Sequence, residues 1–252
     1  MTFTGTAPLA SDKQSCHNCI TKKYCLAKEV SAAEQPALQA YMGRHRILKK
    51  GEFLFYQGEK PQFLAIVRSG SVKTYYLTDD GDCQITGFHY PGQLLGADSF
   101  GGGVQVVCAE AMETTSICEM ACDDFDKLCE SLPSFRHEYY RCMGRELARD
   151  KKQLWVLGKL HADQRLADFI LEIASLKKTQ GQTCHEFSLS MAKTDIANYL
   201  GVTIETISRL FSRFQAEGLI DTNNRFVKIV NFAGLQTVVR GCCEKLPLAK
   251  IA

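Results

Sequence analysis

Three cysteines crowd the first twenty-five residues, Cys16, Cys19 and Cys25, spaced C-x2-C-x5-C along a polar stretch. Thiolates are soft ligands, and a C-x2-C pair suits zinc or an iron–sulfur cluster. Three thiolates leave one coordination position open, and its donor must come from far along the chain. Spacing does not choose among Cys83, Cys108, Cys118 and Cys122. His17 offers a Cys3His zinc site instead, and redox-active thiols without a metal are the remaining solution.

A second constellation lies in the last third of the chain. Between Lys193 and Leu210, Ile196, Ala197 and Leu200 form the buried face of a first helix, and Gly201 sits in a turn. Thr203 caps a second helix, whose buried stripe is Ile207, Leu210, Phe211 and Phe214. These offsets are those of a helix-turn-helix. Glu205, Ser208, Arg209 and Ser212 then share the opposite face at i, i+3, i+4 and i+7. Arg209 can hold guanine O6 and N7 with two bonds, Glu205 can accept from cytosine N4, and Ser208 can contact either neighbour. Lys193, Arg213 and Arg225 are candidates for contacts to the DNA backbone. The plain alternative is a helical hairpin with a solvated charged face. Alanine, glycine and isoleucine all falling at the required offsets favours DNA reading.

Other elements must hold these groups in place. From about Arg46 to Met120, short β-branched and aromatic runs alternate with turns at Gly58, Gly70, Gly81 and Gly92, 11 or 12 residues apart. That hairpin rhythm predicts a small β sandwich or barrel. After Leu132-Pro133 the period becomes helical. Tyr140, Met143, Leu147, Asp150, Leu154 and Leu157 recur at three and four residues, a heptad seam from Ser134 to about Leu160. The seam predicts a homodimer, against the simpler reading of a helix lying on its own barrel. Two Asp150 carboxylates facing each other would repel, so the dimer is expected to form conditionally. Beyond the helix-turn-helix, residues 219–229 read as two short strands around an Asn-Asn turn, the wing of a winged helix, with Arg225 beside the DNA backbone.

Composition narrows the class. The chain has 252 residues, a net charge of +2 and twelve cysteines. The small net charge requires any DNA contact to come from a local surface. A chain this long does not need disulfide staples. No apolar run approaches the ~20 residues of a membrane span. Met1 to Gln14 is polar and lacks a signal core, so a cytoplasmic, non-membrane protein is expected. No paired carboxylates, Ser/His/Asp spacing or phosphate loop suggests an enzyme.

Four stretches carry a resemblance. They are Cys16-His17-Asn18-Cys19 with Cys25, the run 81–89, Glu113-Thr114-Thr115-Ser116-Ile117-Cys118-Glu119, and the run 198–209. Together they resemble the cyclic-AMP receptor protein superfamily, and within it the oxygen-sensing fumarate–nitrate reduction regulator (FNR) branch, over nearly the whole chain. The resemblance implies an α+β fold: an N-terminal cyclic-nucleotide-binding-like β-roll, a long dimerisation helix and a C-terminal winged helix-turn-helix. The expected divisions are 1–28 (iron–sulfur segment), 29–133 (β-roll), 134–160 (dimer helix) and 161–252 (DNA-binding domain). It implies that Cys16, Cys19, Cys25 and Cys118 hold an oxygen-labile 4Fe-4S cluster, with Cys118 the fourth ligand. It implies that Glu205, Ser208 and Arg209 read a TTGAT-type half-site, and that Asp150 belongs to oxygen-controlled dimerisation. The turn at Gly81 and Asp82 resembles the surface through which such proteins touch RNA polymerase.

The chain also departs from the branch. Cys83 stands where relatives usually carry glutamate, Cys108 and Cys122 flank Cys118 outside the motif and read as packing residues, and Cys242-Cys243 match nothing. A cyclic nucleotide is not expected, because Gly96 to Ala109 holds no arginine or lysine for a cyclic phosphate. A zinc- or thiol-based regulator of the same fold is the alternative.

Overall fold

The computed structural model describes residues 16, 19–42 and 44–241. His17, Cys242 and Cys243, raised above as candidates, lie outside the described residues. The chain divides into two compact units, residues 1–146 and 147–252.

The first unit is the expected β-roll. Its strands are β1 (Arg44–Leu48), β2 (Phe53–Phe55), β3 (Phe63–Ser69), β4 (Val72–Leu77), β5 (Cys83–His89), β6 (Leu94–Leu95), β7 (Cys108–Ala111) and β8 (Thr115–Ala121). They form two antiparallel four-stranded sheets, ordered β1-β8-β3-β6 and β2-β7-β4-β5. The glycine turns fall between strands, as the spacing predicts. Helices α1 (Gln35–Tyr41), α2 (Cys122–Ser131) and the start of α3 (Pro133–Lys159) complete the unit.

Strand β3 explains how the layers are arranged. Its Leu64, Ala65, Ile66 and Val67 are all buried, where a half-exposed strand would alternate. Ala65 and Val67 face the roll interior with Leu48, Phe55, Val72 and Ile117. Leu64 and Ile66 face the other way, into a second apolar cluster with Leu26, Val30, Leu38, Met120, Leu128 and Phe135. Strand β8 alternates in the same manner: Ile117 points into the roll and Cys118 out of it, into the second cluster. That outer face is covered by the segment from Cys25 to Val30, by α1 and α2, and by Phe135 of α3.

Helix α3 starts at Pro133, whose fixed φ suits a first helical position. Its bounds agree with the predicted 134–160 to within one residue. The second unit holds the last part of α3, then α4 (Ala162–Thr179), β9 (Glu186–Ser188), α5 (Lys193–Tyr199), α6 (Ile204–Ala216), β10 (Ile220–Asn223), β11 (Phe226–Ile229) and α7 (Phe232–Arg240). Strands β10, β11 and β9 form a small antiparallel sheet. The wing turn differs by one residue from expectation. Its two corner residues are Asn224 and Arg225, with Asn223 still in β10. Asn224 takes φ 54°, which asparagine tolerates better than most side chains.

Gly92, between β5 and β6, fixes how closely the cysteine segment approaches the roll. Its φ is +91°, and a Cβ there would stand 2.7 Å from Tyr24 Cβ and 3.0 Å from Tyr24 O. Gly92→Ala is therefore strained in its backbone and pushes away the residue before Cys25. It should destabilise the first unit by about 1–3 kcal/mol. It should also speed tryptic cleavage at Lys22 and Lys23, read by peptide mapping against wild type.

Candidate functional site

The four cysteines that the resemblance names come together in the first unit. Cys25 and Cys118 are buried in the outer apolar cluster, and Cys16 packs against it. Cys118 lies within electrostatic reach of Cys19, Cys16 and Cys25, and Cys25 within that of Cys19 and Cys16. The other three candidates for fourth ligand sit differently. Cys108 is on the second sheet, its sulfur accepting the Gln57 N–H at 3.4 Å. Cys83 is exposed at the start of β5. Cys122 opens α2, where Asp123 and Asp126 are the charges that act on it.

Burial raises the thiols of Cys25 and Cys118 to about 12, and the neighbouring cysteines push the same way. Cys16 is also raised, by burial and by Cys19, against the lowering influence of Arg68 and Lys22. Without a metal these three thiols are protonated at neutral pH, and a soft cation must displace their protons to bind. Polar partners already stand beside the sulfurs. The Ala27 N–H donates to Cys25 Sγ at 3.4 Å. Thr21 Oγ1 lies 3.0 Å from Cys19 Sγ, and His45 Nδ1 lies 3.4 Å from Cys118 Sγ.

Among the described residues, no group of three histidine, cysteine or carboxylate side chains stands ready to hold a metal ion. A cubane cluster spreads its four sulfur ligands much farther apart than a single ion does. Cys25 and Cys118 in one apolar cluster, Cys16 packed against it and Cys19 within electrostatic reach, together with the cationic Arg68, therefore fit a four-cysteine cluster in the chemistry of the donor set.

Sequence reasoning missed His45, Arg68 and Cys142. Pairing of β1 with β8 places His45 directly opposite Cys118, which no short motif could signal. Cys142 of α3 acts electrostatically on Cys25, and its sulfur accepts from Arg145 at 3.0 Å.

An ion pair ties the segment after Cys25 to α3, and two more lie within α3. Arg141 lies 3.8 Å from Glu29 and 3.5 Å from Glu138, and Arg145 lies 2.8 Å from Glu138. Ser134 Oγ donates to Glu34 at 3.1 Å.

In the second unit, α5 and α6 form the predicted helix-turn-helix. Ile196, Ala197 and Leu200 are buried, as are Ile207, Leu210, Phe211 and Phe214. Thr203 caps α6, its Oγ1 accepting the Thr206 N–H at 3.3 Å. Glu205 and Arg209 are exposed and Ser208 is half-exposed, all in the first half of α6. Its own backbone N–H and the Thr203 hydroxyl hold the Glu205 carboxyl below the usual range, so it is an ionised acceptor.

Two of the three backbone candidates share one groove. Lys193, Asn224 and Arg225 line a cavity of about 370 Å³ floored by Met191 and Phe211. The Lys193 ammonium stands 4.9 Å from the Phe211 ring centre, and Arg225 donates to Ser190 O at 3.0 Å. Arg213, the third candidate, lies outside the lining of this groove. Its guanidinium is engaged within the chain, 3.0 Å from Asp163 and 3.5 Å from Glu217.

The α3 seam is largely uncovered: Tyr140, Leu147 and Leu154 are 62%, 56% and 72% exposed, and Asp150 is exposed. Trp155, absent from the predicted seam, is half-exposed beside them. Met143 departs from expectation, because it packs partly against the outer apolar cluster of its own unit. Gly81 and Asp82 form the exposed turn before β5. Gly81 takes φ +87°, and Thr78 both donates to Asp82 O and accepts its N–H.

A β-roll joined to a winged helix-turn-helix, with Glu205, Ser208 and Arg209 presented on α6, defines a DNA-binding transcription regulator rather than an enzyme. Residues 164–238 match the Crp-like helix-turn-helix domain, and residues 45–132 match the cyclic nucleotide-binding domain. The transcriptional activator protein anr of Pseudomonas aeruginosa is 38% identical over 91% of this chain and 94% of its own. The fumarate and nitrate reduction regulatory protein of Escherichia coli is 36% identical over 86% of each chain. Among solved structures, FixK2 from Bradyrhizobium japonicum superposes with a TM-score of 0.71 at 26% identity, over 77% of this chain and 96% of its own. The chain belongs to the CRP/FNR family of transcription regulators, in its FNR branch. No helix among the described residues is long and apolar enough to cross a membrane.

Glu138 gives the site a pH signature. Burial raises its carboxyl, but the hydrogen bond and charge of Arg145, with Arg141, outweigh it and leave the group below its ordinary 4.5. The pair stabilises the fold fully above that ordinary value and less as pH falls below it. Arg145→Met should cost about 2 kcal/mol at neutral pH. The gap to wild type should shrink below the ordinary carboxyl range, as measured by urea unfolding across pH.

Proposed function

We propose that this protein is an oxygen-responsive transcription regulator in which Cys16, Cys19, Cys25 and Cys118 hold a 4Fe-4S cluster. The observation that carries the reading is the placement of Cys118. Of the four cysteines that spacing left open, it is buried in the same apolar cluster as Cys25 and lies within electrostatic reach of all three N-terminal cysteines.

When bound, the cluster supplies an oxygen-sensitive bond between the N-terminal segment and β8. The residues around it do the rest. Held at Cys118, the segment from Cys25 to Val30 stays packed on the outer face of the sheet. Glu29 and Glu34 then keep their contacts with Arg141 and Ser134 of α3. A fixed α3 offers Tyr140, Leu147, Leu154 and Leu157 to a second copy, and the homodimer forms despite the facing Asp150 carboxylates. Two α6 helices then read TTGAT-type half-sites about one DNA turn apart. Glu205, Ser208 and Arg209 contact bases, and Lys193 and Arg225 contact the backbone. Were the cluster lost to oxygen, the four cysteines would no longer tie the segment to β8, and dimerisation and DNA affinity would fall together. The turn at Gly81 and Asp82 is the surface offered to RNA polymerase. The expected setting is the cytoplasm.

Protein purified without oxygen should be brown, with four iron and four sulfide per chain, and should bleach in air with loss of DNA binding. A colourless protein with stoichiometric zinc would support the metal- or thiol-responsive alternative instead. Cys118→Ala should abolish the chromophore and Cys108→Ala should keep it; equal loss in both would remove Cys118 as ligand. Asp150→Ala should strengthen dimerisation of the cluster-free protein by about tenfold, measured by sedimentation, through loss of like-charge repulsion.

A further inference from the structure

Arg165 of α4 makes three hydrogen bonds, each to a main-chain carbonyl. Its Nε donates to Leu160 O at 2.9 Å, Nη2 to Leu157 O at 2.7 Å and Nη1 to Leu200 O at 2.8 Å. Leu157 and Leu160 stand at the C-terminal end of α3. Leu200 caps α5 and is followed directly by Gly201 of the helix-turn-helix turn. The last carbonyls of a helix have no partner within it and carry the negative end of its dipole. One planar cation therefore satisfies the ends of two helices at once. Gly201 packs beside the guanidinium, since a Cβ there would stand in ordinary contact, 3.5 Å from Nη1 and 3.7 Å from Leu157 Cδ2.

Two further contacts run between the same elements. Gln153 of α3 donates to Tyr199 O of α5 at 3.3 Å. Lys152 of α3 pairs with Asp168 and Glu172 of α4 at 2.9 and 3.4 Å. All these groups belong to the second unit. The end of the seam that carries Asp150, Leu154 and Leu157 is thus built into the same body as α6.

We propose that Arg165 is a positioning residue that fixes the recognition helix relative to the dimer seam, and so sets which half-site separation the dimer reads. The inference rests on the dimeric, DNA-reading function above. In a two-fold dimer the distance between recognition helices is measured from the dyad, which lies in the seam. Arg165 holds the end of the seam helix with two donors and the turn that leads into α6 with the third. Lysine does not replace it, because an ammonium is a compact point charge and lacks the rigid fork that spans both helix ends.

The test uses full-length protein prepared without oxygen: wild type, Arg165→Gln, Arg165→Lys and Gln153→Ala. Each is titrated against palindromes of TTGAT-type half-sites whose spacer changes one base pair at a time. Both Arg165 variants should bind the preferred spacer about tenfold more weakly and discriminate adjacent spacers several-fold less. Gln153→Ala should move the same way by a smaller factor. The salt dependence of binding should stay unchanged, because the phosphate contacts remain. Amide exchange across residues 200–203 should quicken by about tenfold, while Ile207 to Phe211 stay protected. Spacer discrimination unaltered in the Arg165 variants, or restored by lysine, overturns the inference and leaves the regulator reading standing. Wild-type protein that binds none of these duplexes overturns that reading and the inference with it.

Discussion

One apolar face must be covered, and the rest of the first unit follows from it. In the sheet β1-β8-β3-β6, the middles of β3 and β8 are buried on both sides. Its inner face fills the roll with Ala65, Val67 and Ile117, and its outer face carries Leu64, Ile66, Cys118 and Met120. Left in water, an outer face of this kind would cost roughly 1.5–3 kcal/mol for each large side chain. The chain covers it with Leu26, Ala27 and Val30 of the N-terminal segment, and with α1, α2 and Phe135 of α3. Because Cys25 immediately precedes Leu26, the same burial delivers the cysteine segment to Cys118. The site is a consequence of completing the core.

Burial and charge oppose one another at that site. An apolar pocket holds thiols neutral, as the raised values of Cys25 and Cys118 express, yet ligation requires thiolates. Arg68 acts in the opposite direction, lowering Cys16 and Cys118. The bonds to α3 are of another kind. Arg141 and Glu29 are both half-exposed, so their attraction is partly screened. The segment is thus secured to the sheet by apolar packing and to α3 by a screened, orientation-dependent ionic contact. The ionic contact is the weaker of the two and the easier to release.

The second unit is ordered by helix ends. Thr203 satisfies the start of α6 and Arg165 the ends of α3 and α5. Gly201 at φ +63° permits the sharp turn between α5 and α6. Arg213 also joins two helices. It extends from the C-terminal half of α6 to Asp163 in the first turn of α4, so it braces the unit.

Short-range patterns are legible in the sequence. The heptads of α3, the helix-turn-helix offsets, the stripe of Glu205, Ser208 and Arg209, and the glycine rhythm of the roll are all local, and local periodicity is what a chain expresses directly. Cys16, Cys19 and Cys25 were legible for the same reason. Spacing left the fourth cysteine open among four positions, and a family resemblance had to name it. Which cysteine shares the pocket is set by strand alternation in β8 and by what covers that face, both products of long-range pairing. The same holds for His45, brought opposite Cys118 by the β1–β8 register, for Met143, drawn into its own core, and for Arg165, whose three carbonyl partners span 44 residues of chain. The sequence determined the elements and the chemistry on their faces. Only the tertiary structure decided which distant groups meet, because burial of a shared face acts between elements and leaves no period in either one.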